Sequence, residues 1–537
     1  MVNYFCLTKL TKNENWDIRG TSLGGLFVLE PWITPSLFYQ FLNQNQKNKI
    51  ALDIYSFCDV LGSKEGNRQL LLHYQNWFNE THIQLLSNKK ITHLRIPIGD
   101  WMFQPYGPYI GCTHGSKEYL HYVMDLCKKY RIQVLLDLHG VKESQNGLDN
   151  SGKSANMEFI VSPSNKERDS TLTFMHWPIL SGNWMGTFDI DFKNYSSINY
   201  ENIRFTKEVL YEIIDTYKNH ESLFAIEALN EPWIYTPIHE LQDFYYDIYK
   251  YMHHHAPHLK FIYHDSFRGY SDLWDHFLIN CSNVAMDWHI YQAWNPERYG
   301  DQFLLEADHY ADYILQLKEK GHMLIIGEYS LATDNCALWL NGFQDNLEGF
   351  PVCDCKYTPC PFPYISVKDL DRIDPIISPF GTGMSSPRMG TCPYEGILVI
   401  DKKQDDFLRK LNLKKLKSFE ESHGWFFWNF QTEIKEEVGW NFMESHEHSY
   451  FHGSSIDPIH SYDRPLWQYG TLLMGFLVFM IGLFGLFECY YRYIIRKKEN
   501  IMKYQYVKIE IPKHEKQPIN IYKKNASTGS FPYYEAI

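Results

Sequence analysis

The sequence predicts an α/β protein, a closed (β/α)8 TIM barrel with loop insertions, followed by a single C-terminal transmembrane helix. Short apolar runs alternate with amphipathic helical stretches, a pattern typical of parallel sheets. There are eight such runs, which favours a closed barrel over an open sheet. Most runs end in a polar or aromatic residue, as expected where one end of a barrel carries function. No glycine-rich phosphate loop follows any run, which disfavours a dinucleotide-binding fold.

The predicted strands are short, apolar and bounded by turn residues. They cover residues 18–23, 92–98, 133–139, 223–230, 260–264, 284–289, 323–327 and 424–429. Helices are predicted near 67–88, 117–130, 201–219, 239–255, 305–320 and 403–422.

Two long insertions follow the third and seventh predicted strands, at residues 140–199 and 344–400. Long connections in a compact domain are usually functional. Both insertions leave the same end of the predicted barrel, so we expect them to form walls of a substrate pocket at that end.

The C-terminal part of the chain has the pattern of a membrane anchor. Residues 466–487 carry no charge and are long enough to cross a bilayer. Aromatic residues flank this stretch and a basic cluster follows it, as at membrane interfaces. The flanking residues are Trp467, Tyr469, Tyr490, Tyr491 and Tyr493, and the basic ones are Arg492, Arg496, Lys497 and Lys498.

These signals divide the chain into an N-terminal segment (1–16), the barrel (17–465), the membrane span (466–487) and a polar, disordered tail (488–537). The positive-inside rule places the tail in the cytosol and the barrel outside the cell or in a lumen. Residues 1–16 show no signal peptide. We therefore expect the natural N-terminus to lie upstream, with an atypical export route as the alternative.

The composition of the chain favours some classes of function and disfavours others. A net charge of −13 disfavours nucleic acid as a partner. The 15 Trp and 39 Tyr residues suit either a large aromatic core or the stacking of sugar rings. Four cysteines in the second insertion do not form a standard zinc motif, so disulfides are favoured over a zinc site. These cysteines are Cys353, Cys355, Cys360 and Cys392. Sequons for N-glycosylation at Asn79, Asn194 and Asn280 are compatible with secretion.

Two glutamates follow predicted strands in equivalent positions. Glu231 follows the run 223–226, and Glu328 follows the run 323–326. A single Glu is usually a solvated surface residue. Two carboxylates at the C-terminal ends of nearby barrel strands, however, are what glycoside hydrolysis requires.

Longer motifs surround both glutamates and recur in a defined order. They lie at 24–38, 94–99, 137–140, 144–152, 229–232, 289–292, 327–330 and 424–428. Together they resemble glycoside hydrolase family 5, and within it the fungal-type exo-β-1,3-glucanases, over about residues 16–465. This sequence departs from that family at Leu148, where the family has an aromatic residue at the entrance, while Trp294 stands where its partner aromatic would be.

The resemblance implies a retaining mechanism in which Glu328 is the nucleophile and Glu231 the acid/base, which must hold its proton. It requires no metal and no cofactor. Arg95 and Tyr291 are expected to keep Glu328 ionised. The residues expected to bind the substrate are Glu30, Arg95, His139, Asp149, Asn150, Asn230, His289, Tyr291, Trp294 and Trp428.

The sequence therefore predicts a membrane-anchored exo-β-1,3-glucanase that acts on β-glucan. Two alternatives remain open. One is a β-glucosidase for glucosylated lipids or sterols, suggested by the predicted bilayer anchor and by Leu148 at the entrance. The other is a non-catalytic, glucan-binding surface protein.

Overall fold

The computed structural model describes residues 4–9, 16–41, 46–154, 157–161, 172–176, 182–189, 191–269, 271–295, 300–335, 337, 339–340, 352–353, 365–366, 402–458, 480, 485–488 and 490–494. Residues up to 458 form one compact unit, and residues 459–537 form a second.

The first unit is a closed barrel of eight parallel strands, as the sequence predicts. The strands are β1 (Ile18–Ser22), β2 (His93–Gly99), β3 (Gln133–Gly140), β4 (Met157–Val161), β5 (Leu172–His176), β6 (Gly186–Asp189), β7 (Asn194–Ile198), β8 (Leu223–Glu227), β9 (Lys260–His264), β10 (Val284–Ile290), β11 (Leu324–Tyr329), β12 (Val352–Cys353), β13 (Ile365–Ser366) and β14 (Gly424–Phe427). Around the barrel the order is β1, β14, β11, β10, β9, β8, β3 and β2, so strands that follow one another in the chain are mostly neighbours in the sheet.

Helices connect most barrel strands, and the predicted helices are found with small shifts at their ends. One prediction was wrong: the single helix expected over 67–88 is in fact two helices, Ile54–Trp77 and Glu80–Asn88. Asp53 caps the first by accepting from Ser56 N at 2.7 Å, and Asn79 caps the second by accepting from Thr81 N at 3.0 Å. The helices are α1 (Pro35–Phe38), α2 (Ile54–Trp77), α3 (Glu80–Asn88), α4 (Ser116–Tyr130), α5 (Tyr200–Tyr217), α6 (Ile238–His255), α7 (Gln302–Glu319), α8 (Lys402–Phe419) and α9 (Phe442–Glu447).

The barrel interior is layered. A small apolar cluster closes its N-terminal part, with Leu135, Ala225 and Ala285 among its members. Side chains on a strand alternate between two faces, so the next inward positions are two residues further along. Those positions hold Asp137, Glu227 and Asp287, all fully buried. The apolar floor therefore supports a charged layer just below the C-terminal mouth.

The first insertion contains two antiparallel hairpins, β4–β5 and β6–β7, which the sequence reading did not predict. Its first residues turn back over the barrel mouth. There the Gln145 side chain donates to the backbone oxygens of His139 at 2.8 Å and Asn230 at 2.9 Å. Apart from the short β12–β13 pair, most of the second insertion and its predicted disulfides lie outside the described residues.

Two disulfides join described residues of the first unit. Cys6–Cys281 ties the N-terminal segment to the loop before β10, and Cys58–Cys112 ties α2 to the loop before α4. Cys127 is buried and free.

The second unit is described only in short helical pieces at 480, 485–488 and 490–494. The predicted span 466–487 and tail 488–537 therefore fall largely outside the described residues. Within the described part of the chain, no helix combines the length and the apolar character needed to cross a membrane.

Candidate active site

The two predicted catalytic glutamates lie at the C-terminal mouth of the barrel. Glu328 is on β11, and Glu231 follows β8, which ends at Glu227 rather than at Asn230 as predicted. Glu231 has a φ of +42°, in the left-handed region that non-glycine residues rarely adopt. A register shift in β10 between Asp287 and His289 places His289 directly beside Glu328.

His289 bridges the two glutamates. Its Nδ1 atom lies 2.7 Å from Glu231 Oε1 and 3.4 Å from Glu328 Oε2. Those two oxygens are therefore no more than about 6 Å apart, the sum of the two distances. Retaining glycosidases place their carboxyl groups at roughly 5–5.5 Å, and inverting ones at roughly 6.5–9.5 Å.

Arg95, on β2, is fully buried and binds four groups of the site. Its Nη1 donates to Glu328 Oε1 at 2.7 Å, its Nε to Glu227 Oε2 at 3.0 Å, and its Nη2 to Asn230 Oδ1 at 2.8 Å. The same Nη2 lies 3.1 Å from Asp137 Oδ2. The planar fork of the guanidinium thus sets the orientation of Glu328 and Asn230 together.

Glu328 accepts hydrogen bonds from two donors, Arg95 and Tyr291, the two residues expected to hold it, and His289 adds a nearby charge. Besides Arg95, the Tyr291 hydroxyl donates to Glu328 Oε2 at 2.6 Å, and His289 faces the same oxygen. Burial raises the pKa of Glu328 above its ordinary value, and the charges of His289 and Arg95 offset part of that increase.

The opposite wall is built around His139 and Trp428. The two rings stack at 5.5 Å between centroids, with 4° between their planes. His139 Nδ1 lies 2.6 Å from Asp137 Oδ2, and its Nε2 lies 3.4 Å from Asn230 Nδ2. The imidazole is therefore oriented by Asp137 from below.

Glu30 and Asp149 bring two more buried carboxyls to the mouth. Trp32 Nε1 donates to Glu30 Oε2 at 2.8 Å, while Glu30 Oε1 and Asp149 Oδ2 are buried without a hydrogen-bond partner among the described residues. Burial raises the pKa of Glu30 well above its ordinary range and that of Asp149 to about 7. Asn150 follows, with Nδ2 at 3.5 Å from Glu231 Oε2.

Trp294 packs edge-on against Tyr291, with 5.7 Å between the ring centroids. Both rings also contact Trp440, which contacts Trp32 in turn. Trp440 was not predicted as a site residue. It lies after β14, and no pattern near it in the sequence distinguishes it from a core tryptophan.

All twelve predicted site residues form one connected group at the mouth. The sequence reading missed three buried acids beneath them: Asp137, Glu227 and Asp287. A signal for them exists, because each is a charged residue inside an otherwise apolar strand, and such residues are rarely buried without a partner.

Some acids and histidines at the mouth lie close enough together to coordinate a metal ion: Glu231, His264 and His289 form one such group, and Glu227, Asp287 and His289 another. Both groups use His289, whose two nitrogens already face Glu231 and Asp287. A third group, His121, Asp125 and His220, lies on the outer surface. The chemistry of the two glutamates requires no metal.

Comparisons with known proteins identify relatives of this chain by sequence and by fold. The chain is 28% identical over 446 residues to a glucan 1,3-beta-glucosidase of Schwanniomyces occidentalis, covering 79% of this chain and 86% of the relative. It is 30% identical over 338 residues to a glucan 1,3-beta-glucosidase of Yarrowia lipolytica, covering 60% of this chain and 69% of the relative. No family model matches the chain.

Among solved structures, the rutinosidase from Aspergillus niger matches with a TM-score of 0.52 and 15% identity, covering 82% of this chain and 100% of the other. AoRut matches with a TM-score of 0.54 and 16% identity, covering 82% and 98%. These structures support the fold alone, whereas the sequence relatives confirm the resemblance found in the motifs. The chain belongs to the glucan 1,3-β-glucosidase family of glycoside hydrolases.

Proposed function

We propose that this enzyme removes terminal glucosyl residues from β-1,3-glucan by a retaining, two-step displacement. The observation that carries the proposal is the bridge from Glu231 through His289 to Glu328, which keeps one oxygen of each carboxyl within about 6 Å of the other, below the range of inverting enzymes. The names of the sequence relatives support the choice of substrate.

In the first step, Glu328 attacks the anomeric carbon while Glu231 protonates the departing glycosidic oxygen. The contacts suit these roles. Arg95 and Tyr291 hold Glu328 by its two oxygens. His289 occupies Glu231 Oε1, so the proton to be transferred resides on Oε2, the oxygen that faces Asn150.

In the second step, Glu231 takes a proton from water, and the water oxygen attacks the glucosyl–Glu328 ester. The anomeric configuration is inverted twice and so retained. Asn230, fixed by Arg95, is placed to bind the 2-hydroxyl, a contact that strengthens in the transition state.

The remaining predicted ligands have free polar atoms for sugar hydroxyls. The buried oxygens Glu30 Oε1 and Asp149 Oδ2 have no hydrogen-bond partner in the described part of the chain, so each carboxyl can bind a hydroxyl group. Trp428 offers a flat ring beside His139. By contrast, both nitrogens of His289 face protein carboxyls, so we assign His289 to the two glutamates rather than to the sugar.

Digestion of laminarin with product analysis tests the proposal. We expect glucose as the sole early product, released in its β configuration, as read by proton NMR within the first minutes. Oligosaccharides as early products would contradict terminal attack, and α-glucose would contradict retention. Hydrolysis of glucosylceramide in preference to laminarin would instead favour the alternative β-glucosidase for glucosylated lipids.

We also propose that residues 466–487 anchor the enzyme in a membrane, with the barrel on the extracellular or lumenal side. The uncharged stretch, its aromatic flanks and the following basic cluster support this. The protein should stay with membranes after alkaline carbonate extraction, and a truncation after residue 458 should be released. Release of the full chain by carbonate would contradict the anchor.

A further inference from the structure

Two of the buried acids lie directly beneath His289. The side chains of Glu227 on β8 and Asp287 on β10 are both fully buried. One carboxyl oxygen of each and one ring nitrogen of His289 lie within 4.8 Å of one another. The mechanism above uses His289 but assigns nothing to these two acids.

The contacts of His289 define its protonation. Its Nδ1 lies 2.7 Å from Glu231 Oε1, and its Nε2 lies 3.4 Å from Asp287 Oδ2. A neutral imidazole has one donor nitrogen and one acceptor nitrogen, whereas the imidazolium donates from both. A neutral imidazole fits these contacts only if one of the two carboxyls donates its proton to the ring, whereas the imidazolium fits both when the facing oxygens are carboxylate acceptors.

The charges of the whole layer require that some acids keep a proton. Five carboxyls meet here, those of Asp137, Glu227, Glu231, Asp287 and Glu328. The cations that can face them are Arg95, His289 and, when protonated, His139. Uncompensated charge is very costly in a buried site.

The geometry singles out Glu227 as a neutral acid. Glu227 Oε2 accepts from Arg95 Nε at 3.0 Å. Among the described residues, the buried oxygens Glu227 Oε1 and Asp287 Oδ2 have no hydrogen-bond donor, since the approach of His289 Nε2 to Asp287 Oδ2 at 3.4 Å is a charge contact longer than a hydrogen bond. A proton on Glu227 Oε1, donated to Asp287, provides a partner for both oxygens. Burial likewise raises the pKa of Glu227 well above the ordinary range of glutamate, and Arg95 offsets only part of the increase.

Asp287 is the member of the pair built to stay charged. Its Oδ1 accepts from Gly327 N at 2.6 Å. A Cβ at position 327 would lie 1.8 Å from Asp287 Oδ2, so only glycine lets the carboxylate approach this backbone N–H. Burial opposes the charge, but His289 and Arg95 outweigh it and lower the pKa of Asp287.

The other titratable groups around the pair do not supply a competing cation. Burial lowers the pKa of His264, so this ring is neutral, and burial raises the pKa of Tyr245 and that of Asp265, the latter to about 7. Of the remaining neighbours, Arg95 is the permanent cation, and Asp137, which contacts Arg95 Nη2 and His139 Nδ1, adds to the increase in the pKa of Glu227.

We propose that Glu227 and Asp287 form a proton-sharing pair in which Glu227 carries the proton and Asp287 the negative charge, and that this charge keeps His289 a cation between the two catalytic glutamates. Both acids are positioning residues that act through His289. The inference rests on the proposed function for its kinetic readout only.

The test compares two amide variants across pH. Glu227→Gln replaces a neutral acid with a neutral amide, so the pH profile of kcat/KM should not move, whatever the change in its maximum value. Asp287→Asn removes the charge that holds the proton on His289. Glu328 then loses a neighbouring cation, its pKa rises, and the acidic limb of the kcat/KM profile moves up by about 1 pH unit.

Asp100→Asn is the matched control, because Asp100 is equally buried but bonds to Lys142 N and the Tyr106 hydroxyl, away from this layer. It should leave the profile unchanged. An acidic limb displaced in Glu227→Gln, or an unmoved limb in Asp287→Asn, would overturn the proposal.

A second measurement decides the matter even where Asp287→Asn does not fold. Nitrogen-15 NMR of labelled histidines in the wild-type protein should show His289 as imidazolium through neutral pH, and equally so in Glu227→Gln. A neutral His289 at pH 7 refutes the pair. Because this readout needs no substrate, it remains decisive if the wild-type enzyme hydrolyses no glucan and the proposed function fails.

Discussion

Replacing Glu328 with alanine is expected to reduce kcat on the order of 10⁶-fold, the scale seen when a hydrolase loses its nucleophile. The fold should survive, because Arg95 keeps Glu227, Asp137 and Asn230 as partners. Steady-state kinetics with an aryl β-glucoside, together with circular dichroism and thermal unfolding, measure both expectations.

Adding azide as an external nucleophile distinguishes the role of Glu328 from that of Glu231. In Glu328→Ala, azide can enter the space left by the carboxylate and attack the anomeric carbon as the activated aryl group leaves, giving the α-glucosyl azide. In Glu231→Ala, the nucleophile is intact and azide attacks the covalent intermediate, giving the β-glucosyl azide. Glu328→Gln is the isosteric control and should be inactive with an unchanged melting temperature. Unfolding of both Glu328 variants would show that Glu328 is structural.

Replacing Arg95 with methionine should destabilise the protein by about 3–5 kcal/mol, because the change leaves buried carboxyls without their cation. It should also raise the pKa of Glu328 further, since one of the two cations that favour its ionised form is lost. A nucleophile that is protonated at neutral pH is inactive, so the acidic limb of the kcat/KM profile should move upward. Denaturant unfolding and pH–rate measurements test the two parts separately.

Arg19→Met is the matched control for Arg95. Arg19 is also on a barrel strand, but its ion pair with Asp17 is at the surface, at 3.2 Å. Surface pairs contribute at most about 1 kcal/mol, so the change in unfolding free energy should be within that limit. Arg95→Lys keeps the charge but cannot reach several partners at once, so activity should still fall. Equal destabilisation by Arg19→Met and Arg95→Met would contradict the account of the charged layer.

Some secondary-structure elements could be predicted from short stretches of the chain, and others could not. The largely apolar runs 133–139 and 323–327 predicted their strands correctly, because a strand that is buried on both faces can be recognised from its own composition. The helix over 67–88 was predicted wrongly because its true boundary is a side-chain cap at Asn79, and an Asn inside an amphipathic stretch is a weak signal. Of the two hairpins in the first insertion, β6–β7 was missed because its short strands are largely polar and carry little apolar periodicity.

For the candidate site, the sequence alone identified side chains at strand ends, such as Glu231 and Glu328, since the end of each strand is a local property and parallel strands share one edge. Residues in loops, such as Glu30 and Asp149, were expected there only because of the resemblance to the family. Only the tertiary structure decided how these side chains are paired. Arg95 reaches Glu227, Asn230 and Glu328 across the barrel, and Asp287 meets Glu227 and His289 in its interior. Proton positions depend on such distances and on burial, and neither is encoded in the neighbourhood of any one residue.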